Sequence, residues 1–255
     1  MATTYIEPLK QKLQNCEKIY STMLCHIGFT TLPGIYKASG LDMLVMDLEH
    51  GSFYPENIGD FCQMCNKMEL PVIVRVQDCE YHCISKPLDM GADGVLIPRT
   101  ESMEQVETAI NSMRFYPYGK KGVGGRALLR PGEDIYDINK NRLLFIQIES
   151  QKGIDLLDEM LTKYGDQIAG VIIGPCDMAV SMGCGLDTTC EKMMNAVTTT
   201  VSTCQKHKKS IGMFMNDDKE AEYWYRRGMN FFWINTELGM LATEIARNKK
   251  RVDEF

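Results

Sequence analysis

Eight short runs of apolar residues recur along the 255-residue chain, each of a length suited to a β-strand. The runs are rich in Val, Ile, Leu and Phe with little polar alternation, a pattern typical of parallel strands buried on both faces. They cover residues 23–29, 41–46, 71–76, 94–98, 143–148, 169–173, 210–214 and 230–234. The pattern therefore predicts a parallel sheet with its faces covered.

Segments with helical periodicity separate most of these runs, at residues 55–68, 103–113, 152–164, 188–207 and 219–227. Eight alternating strand and helix units in a chain of this length predict an α/β fold, a (β/α)8 TIM barrel, as one domain over residues 1–255. A doubly wound open sheet is the alternative, because periodicity alone does not distinguish the two.

Three segments lie outside the repeating units. An extra helix is predicted at residues 6–19, before the first strand, and a long C-terminal helix at residues 241–252. Residues 115–141 form a connection longer than the loops usual in a strand–helix unit, and such connections tend to be functional or disordered.

The charge balance argues against two classes of partner. The formal net charge is −6, and no block of Lys or Arg resembles a binding surface for nucleic acid or anionic lipid. The first residues lack the apolar stretch of a signal peptide, and nowhere do ~18 apolar residues run together to span a membrane. We expect a soluble cytoplasmic protein that binds neither nucleic acid nor membranes.

Ten cysteines raise the alternative of a structural zinc site, with the closest grouping at Cys62, Cys65, Cys79, His82 and Cys83. Positions 58, 61, 62, 65 and 68 follow helical spacing, however, so the first two cysteines are predicted to face the core as small apolar side chains. No second Cys-x-x-Cys pair lies at zinc-finger distance, and cytosolic thiols are normally reduced. The cluster is interpreted as structural.

Polar residues concentrate where the predicted strands end, which in a barrel of this type is the site of catalysis. Each alone has an ordinary explanation, as a solvated ion pair or a helix cap, but five consecutive strands share the feature. We therefore predict a functional site at this rim, formed by Asp47, Glu49 and His50, then Arg75, Arg99, Gln147 with Glu149, and Gly174 to Asp177.

Two of these side chains are candidate metal ligands. Glu149 and Asp177 follow consecutive strands, and a pair of carboxylates favours a hard divalent cation such as Mg²⁺, Mn²⁺ or Co²⁺. The alternative is that both residues only cap the helices that follow them. The run from Gly174 through Pro175 into a short helix adds free backbone N–H groups, which attract a carboxylate or a phosphate.

The remaining rim residues suit chemistry at the carbon next to a carbonyl. Arg75 is a planar cation able to stabilise an oxygen that gains negative charge, such as an enolate. His50 can move a proton at cellular pH, and Asp47 could orient it. Together, a metal site, a helix start that binds an anion, an arginine and a base indicate activation of a 2-keto acid.

These residues lie within a longer series of motifs: LDMLVMDLEHG, LPVIVRV, DMGADGVLIPR, RFYPYGKKGVGG, FIQIES and GVIIGPCDMAVSMG. In this order and spacing, from about Gly40 to Leu241, the chain resembles the HpcH/HpaI aldolases, metal-dependent class II pyruvate aldolases built on a TIM barrel.

The resemblance implies a role for each matching residue. Glu149 and Asp177 would bind the metal, and Gln147 with the backbone at Cys176 and Asp177 would hold the pyruvate unit. Arg75 would stabilise the enolate oxygen and His50 would be the catalytic base, made more basic by an aspartate that matches Asp89. The family's hexameric assembly implies a homo-oligomer in which the last helix packs on a neighbouring subunit.

Three departures from the family's pattern surround the acceptor side of the predicted pocket. INTELGML follows the eighth strand, where relatives usually carry Gly or Ser followed by Val or Asp. Cys176 replaces a common Ala, Ser or Asn, and Lys121 stands where an arginine usually precedes the glycine. We expect these changes to affect the choice of aldehyde more than the metal.

The leading hypothesis is an aldolase that reversibly splits a 4-hydroxy-2-oxo acid into pyruvate and an aldehyde. One alternative is a related lyase or decarboxylase acting on a β-keto acid such as oxaloacetate, and another is a non-catalytic barrel that binds a keto acid. A Schiff-base aldolase is disfavoured, because none of the eight apolar runs ends in a lysine.

Overall fold

The computed structural model describes residues 5–54, 58–124, 129–130, 132–215 and 217–255. Eight parallel strands close into a barrel in chain order, with β8 paired to β1. The strands are β1 (Ile19–Leu24), β2 (Met43–Asp47), β3 (Val72–Arg75), β4 (Gly94–Ile97), β5 (Leu143–Ile148), β6 (Ile168–Ile173), β7 (Ser210–Met215) and β8 (Phe231–Thr236). The closed barrel confirms the predicted fold and excludes the open sheet.

Helices surround the barrel and connect its strands. They are α1 (Glu7–Gln14), α2 (Leu32–Ala38), α3 (Gly59–Lys67), α4 (Tyr81–Asp89), α5 (Met103–Met113), α6 (Ile138–Asn141), α7 (Gln151–Tyr164), α8 (Pro175–Ser181), α9 (Glu191–Lys206), α10 (Asp218–Tyr225) and α11 (Glu237–Asp253). None of these described helices is long and apolar enough to cross a membrane.

Helix α1 covers the end of the barrel where the strands begin. Its Leu9 and Leu13 pack with Ile19 and Leu143, the first residues of β1 and β5, in the cluster that fills the barrel interior. The Ser210 hydroxyl, at the start of β7, donates to the Leu13 carbonyl at 2.9 Å. Because this amino end is covered, the opposite end, the rim where the strands finish, is left for chemistry.

The first strand lies earlier than predicted. The apolar run at residues 23–29 suggested the strand, but β1 ends at Leu24, and Ile19, expected in the first helix, is its first residue. The cause is a contact between parts of the chain distant in sequence. The backbone N–H groups of Cys25 and Ile27 bond the Glu237 carboxylate instead of a neighbouring strand.

Other elements also begin or end at residues that differ from the predicted ones. Helix α11 begins at Glu237, four residues before the prediction, because the Thr236 side chain caps it by accepting from the Gly239 N–H. The long connection at residues 115–141 joins α5 to β5, so its two ends, at Phe115 and Asn141, lie at the amino end of the barrel. Residues 125–128 and 131 of it, and residues 55–57 of the predicted helix 55–68, lie outside the described residues.

The cysteines behave mostly as predicted. Cys62 and Cys65 in α3 are fully buried in the core, which confirms their structural interpretation. Cys184 and Cys190 form a disulfide bond in the segment between α8 and α9, a linkage that the expectation of reduced thiols did not include.

Candidate active site

Asp47 and Arg75 form a buried ion pair at the rim. The barrel register places the two residues side by side at the ends of β2 and β3. Arg75 donates through Nε and Nη2 to the two carboxylate oxygens of Asp47, each at 2.8 Å. Burial acts to lower the pKa of Arg75, but the hydrogen bonds and charge of Asp47 outweigh it and the pKa is raised. The guanidinium is therefore held as a cation in a fixed plane.

Asp47 does not contact the ring of His50. Its carboxylate instead accepts hydrogen bonds from the backbone N–H groups of Glu49 (3.0 Å) and His50 (3.4 Å). The exposed His50 ring lies near Glu49, with 3.8 Å between His50 Nε2 and Glu49 Oε1. Asp47 thus stabilises the turn that carries His50, whereas the carboxylate that lies near the His50 ring is that of Glu49.

Glu49 is a rim residue to which the sequence assigned no role. Its Oε2 lies 3.1 Å from Arg75 Nη1, so it shares the guanidinium with Asp47. Burial raises the pKa of Glu49, Arg75 opposes that rise, and the charges of Asp47 and Asp177 add to it. The side chain therefore links His50, Arg75 and the acidic part of the rim. Its position two residues after the end of β2 is the feature of the sequence that could have identified it.

Glu149 is held by three neighbours at the end of β5. The Arg99 backbone N–H donates to Oε1 at 2.7 Å, and the Gln147 side-chain amide donates to Oε2 at 2.6 Å. Arg99 adopts a left-handed backbone conformation (φ 46°), which is uncommon for a residue with a side chain. On the third side lies Gly174, where an added Cβ would sit 2.0 Å from Oε2. Only a glycine leaves room for this carboxylate.

The Glu149 carboxylate is buried, and no Lys or Arg in the described part of the chain forms an ion pair with it, although it interacts with the charge of Arg75. Burial raises its pKa to about 7, the Arg99 N–H opposes that rise, and the charges of Asp177 and Glu49 increase it. Three acidic side chains thus repel one another at the ends of β2, β5 and β6. A bound cation would relieve that repulsion and favour the ionised form of Glu149.

Gly174, Cys176 and Asp177 lie at the junction of β6 and α8. The first intrahelical hydrogen bond of α8 runs from the Met178 N–H to the Gly174 carbonyl, at 3.0 Å, so the N–H groups of Cys176 and Asp177 precede it. Asp177 is in the first turn and is exposed at the rim. Gln147 Oε1 is buried and has no hydrogen-bond partner.

These residues fit a divalent cation held by few protein ligands. Among the residues that the structure describes, no group of three or more His, Cys, Asp and Glu side chains is arranged to hold a metal. Two carboxylates with adjacent free donors and an unpaired amide oxygen leave several coordination positions for water or substrate. That arrangement is typical of Mg²⁺ and similar ions in enzymes.

Asp89 lies apart from the other predicted catalytic residues. It is the last residue of α4, at the end of the helix nearest the start of β4, and it pairs with Lys121 at 2.8 Å. Within one copy of the chain the structure does not bring Asp89 to His50. The remaining predicted residues, from Asp47 to Asp177, gather at the rim.

Glu237 is a buried carboxylate that the sequence did not identify as part of the rim. From the start of α11 it accepts hydrogen bonds from three successive backbone N–H groups, those of Cys25, His26 and Ile27. The loop so fixed reaches the next one, because the Ser52 N–H donates to the Cys25 carbonyl at 2.7 Å. Glu237 in the INTELGML segment thus has a structural role, because it fixes the loop that follows β1.

Comparison with known proteins gives one consistent relationship. The family model described as HpcH/HpaI aldolase/citrate lyase matches residues 30–243. A hydroxypyruvate/pyruvate aldolase of Roseovarius nubinhibens is 30% identical over 226 residues, covering 86% of this chain and 87% of that protein. A 5-keto-4-deoxy-D-glucarate aldolase of Escherichia coli is 28% identical over 224 residues, with 85% and 84% covered.

Solved structures support the same fold. An HpcH/HpaI aldolase from Desulfitobacterium hafniense superposes with a TM-score of 0.87 at 24% identity, covering 97% of each chain. The citrate synthase SbnG superposes with a TM-score of 0.81 at 24% identity, covering 96% of this chain and 98% of that one.

Proposed function

The chain belongs to the HpcH/HpaI aldolase/citrate lyase family, a family of carbon–carbon lyases, and from that premise we propose a metal-dependent class II aldolase. It would reversibly cleave a 4-hydroxy-2-oxo acid to pyruvate and an aldehyde. The observation that carries the proposal is Glu149, a buried carboxylate with a pKa of about 7 that faces the charges of Asp177 and Glu49. The names of the two aldolase relatives also point to keto-acid substrates.

Glu149 and Asp177 would hold a divalent cation, Mg²⁺, Mn²⁺ or Co²⁺. When bound, it would polarise the keto oxygen of the substrate as a Lewis acid. Gly174 keeps the Glu149 carboxylate in place by leaving the space beside it empty. The Arg99 N–H and the Gln147 amide fix its two oxygens.

The substrate carboxylate would lie against the start of α8. There the N–H groups of Cys176 and Asp177 are free to donate, and the partial positive charge of the helix end favours an anion. Gln147 Oε1 would accept a hydrogen bond from a substrate hydroxyl or from a water molecule. These contacts would orient the keto group towards Arg75.

Arg75 would stabilise the negative charge that develops when the carbon–carbon bond breaks. Asp47 holds the guanidinium through two hydrogen bonds, so it is oriented before the substrate arrives. A fixed cation in a site that excludes water stabilises an enolate oxygen more than a mobile one does.

His50 would transfer the proton. In the cleavage direction it takes the proton from the 4-hydroxyl, the C3–C4 bond breaks, and the aldehyde leaves. The electron pair stays on the keto-acid fragment as an enolate, and the proton that His50 took is returned to C3 to give pyruvate. The exposed ring of His50 beside Glu49 is accessible to a substrate at the rim.

An assay of pyruvate release from a generic 4-hydroxy-2-oxo acid tests the proposal. We expect activity to disappear when metal is removed and to return with Mn²⁺ or Mg²⁺. Glu149→Gln should lose activity and metal binding together, whereas Glu159→Gln, the same change at an exposed position of α7, should keep both. Full activity of the metal-free protein would contradict the proposal, as would borohydride trapping of a Schiff base.

A second outcome would redirect the assignment within the family. Release of pyruvate and CO₂ from oxaloacetate, with no cleavage of 4-hydroxy-2-oxo acids, would favour the decarboxylase alternative. Metal-dependent binding of pyruvate without any turnover would favour a non-catalytic barrel.

We further propose that the protein is a homo-oligomer, with a hexamer favoured. Helix α11 exposes Leu238, Leu241, Ile245 and Val252, which recur on one side of the helix. An exposed apolar stripe of this length is typical of a surface covered by another protein chain.

A further inference from the structure

A cavity lies at the end of the barrel opposite the rim. It has a volume of about 310 Å³ and is bounded by α1, α6 and the segments that lead into β5, β6 and β7. Because these segments meet the strands where they begin, the cavity is separated from Glu149 by the length of the barrel. Nothing in the proposed aldolase reaction uses it.

The lining of this cavity is strongly basic. Six of its residues are Lys or Arg and one, Asp166, is acidic. Two of the cations are neutralised by carboxylates outside the lining, since Lys10 pairs with Glu7 and Arg142 with Glu133, each at 2.9 Å. The other four cations are Arg114, Lys140, Lys208 and Lys209. They form a local positive surplus in a protein whose net charge is −6.

Among these four cations, Arg114 gives the strongest evidence for an anion-binding site. Its side chain is buried, with 4% of the residue exposed, yet its hydrogen bonds go to two neutral oxygens. These are Gln167 Oε1 at 3.2 Å and the Arg142 carbonyl at 2.7 Å. No carboxylate in the described part of the chain forms an ion pair with it. A buried guanidinium that has no carboxylate partner is costly, and an anion bound beside Arg114 would offset that cost.

The electrostatic environment of Arg114 agrees with that geometry. Burial and, to a smaller extent, the nearby charge of Arg142 together lower the pKa of Arg114 to about 10. Burial likewise lowers the pKa of Lys209, whose Nζ donates to the Ile168 carbonyl at 2.8 Å. The charge of Asp166 partly opposes the lowering at Lys209, and an anion bound in the cavity would stabilise both cations.

We propose that this cavity binds a small multivalent anion, one that carries phosphate or carboxylate groups. The planar guanidinium of Arg114 suits two oxygens of such a group, and the lysines supply charge from the cavity mouth. Leu13 and Leu143 provide an apolar wall for a short carbon skeleton. A volume of about 310 Å³ sets the limit at a small metabolite.

Calorimetric titration at constant ionic strength tests the site, with inorganic pyrophosphate and tricarballylate as the two probes. The titrated protein carries Glu149→Gln and is freed of metal, so that binding at the rim does not contribute. We expect one saturable site for at least one probe, and the probe that binds identifies phosphate or carboxylate as the preferred group. Failure of the aldolase assignment would leave this result unchanged.

Two pairs of variants with the same loss of charge test whether the probe binds in this cavity. Lys140→Gln with Lys208→Gln should weaken the affinity at least tenfold, because both side chains are exposed at the cavity mouth and their loss spares the core. Lys152→Gln with Lys192→Gln, the same loss of charge at exposed positions near the other end of the barrel, should change it less than twofold. Arg114→Gln should abolish binding in protein whose circular dichroism is unchanged.

A chemical readout checks the location independently. Each bound probe should slow acetylation of Lys208 and Lys209, followed by mass spectrometry, and leave Lys192 unaffected. The proposal is overturned if neither probe gives saturable binding beyond that of KCl at equal ionic strength. Equal affinity in the Lys140→Gln, Lys208→Gln protein would overturn it as well.

Discussion

At the scale of single residues, Glu149 shows how this chain keeps a carboxylate in an unfavourable place. Two fixed donors hold its oxygens, and Gly174 leaves the space that they need. Desolvation nevertheless raises its pKa to about 7. An ionised Glu149 thus costs free energy in the metal-free protein, a cost that a bound cation would offset.

The raised pKa of Glu149 predicts how stability depends on pH. A carboxyl with a pKa of about 7 when folded and 4.5 when unfolded contributes stability below pH 4.5 that is lost as pH rises through 7. Glu149→Gln cannot ionise and should not show this loss. In metal-free protein, the free energy of unfolding of the variant relative to wild type should therefore rise by about 2 to 3 kcal/mol between pH 5 and pH 8.

Urea unfolding at the two pH values measures this difference. Glu159→Gln is the control, because an exposed carboxylate should give the same pH dependence as wild type. Saturating Mn²⁺ at pH 8 should stabilise wild type and leave Glu149→Gln unchanged. Parallel pH curves for wild type and Glu149→Gln would show that Glu149 titrates normally.

At the scale of elements, the start of α11 fixes the loop after β1. The Glu237 carboxylate, 4% exposed, accepts from three successive N–H groups at Cys25, His26 and Ile27. The same loop contacts the turn after β2, where His26 Nδ1 lies 2.5 Å from Ser52 Oγ. Two loops beside His50 thus depend on one side chain from the opposite end of the sequence.

Replacing Glu237 should loosen this loop. Glu237→Gln puts an amide N–H group against backbone donors, so we expect a loss of about 1 to 3 kcal/mol in the free energy of unfolding. Hydrogen exchange at the amides of residues 25–27 should accelerate at least tenfold. Glu244→Gln, on the exposed side of the same helix, should change neither quantity. Unchanged exchange at residues 25–27 would contradict the role assigned to Glu237.

The contrast between β1 and β5 shows how far the sequence could predict these elements. Strand β5 matches its apolar run from Leu143 to Ile148, because a strand buried on both faces needs little else to specify it. Strand β1 was misplaced because Cys25 and Ile27 have apolar side chains, but their backbone N–H groups bond Glu237, more than two hundred residues away. Contacts of that separation leave no trace in local periodicity.

Contacts between distant residues were also not predictable at the rim. The position of Asp47, Arg75 and Glu149 after strands was predictable, since a parallel barrel brings all strand ends together. Which side chains pair was not predictable, because it depends on register: Asp47 lies opposite Arg75 and so bonds the guanidinium instead of the His50 ring. The placement of Asp89 away from His50 follows from its position at the end of a helix.

At the scale of the whole molecule, the two ends of the barrel carry clusters of opposite charge. The rim gathers Glu49, Glu149 and Asp177 around a proposed cation. The amino end gathers Arg114 and three lysines around a proposed anion. The barrel interior between the two sites is packed with apolar side chains.

The exposed apolar residues of α11 predict that the protein associates with other copies of itself. Leu241→Asp with Ile245→Asp places two charges on the stripe and should dissociate the assembly, giving a lower mass by light scattering. Thr243→Asp with Ala246→Asp adds the same charge on another side of the helix, where all residues are also exposed, and should leave the mass unchanged. A monomeric wild type, or equal masses for all three proteins, would refute the prediction.

Anomalous diffraction from crystals grown with Mn²⁺ and pyruvate would show whether Glu149 and Asp177 bind one metal ion. We expect one manganese peak at the rim within coordination distance, ~2.1 Å, of an oxygen of Glu149 and an oxygen of Asp177. Pyruvate should complete the coordination and lie against the N–H groups at the start of α8. A map with the two carboxylates turned apart and no manganese between them would refute the proposed metal site.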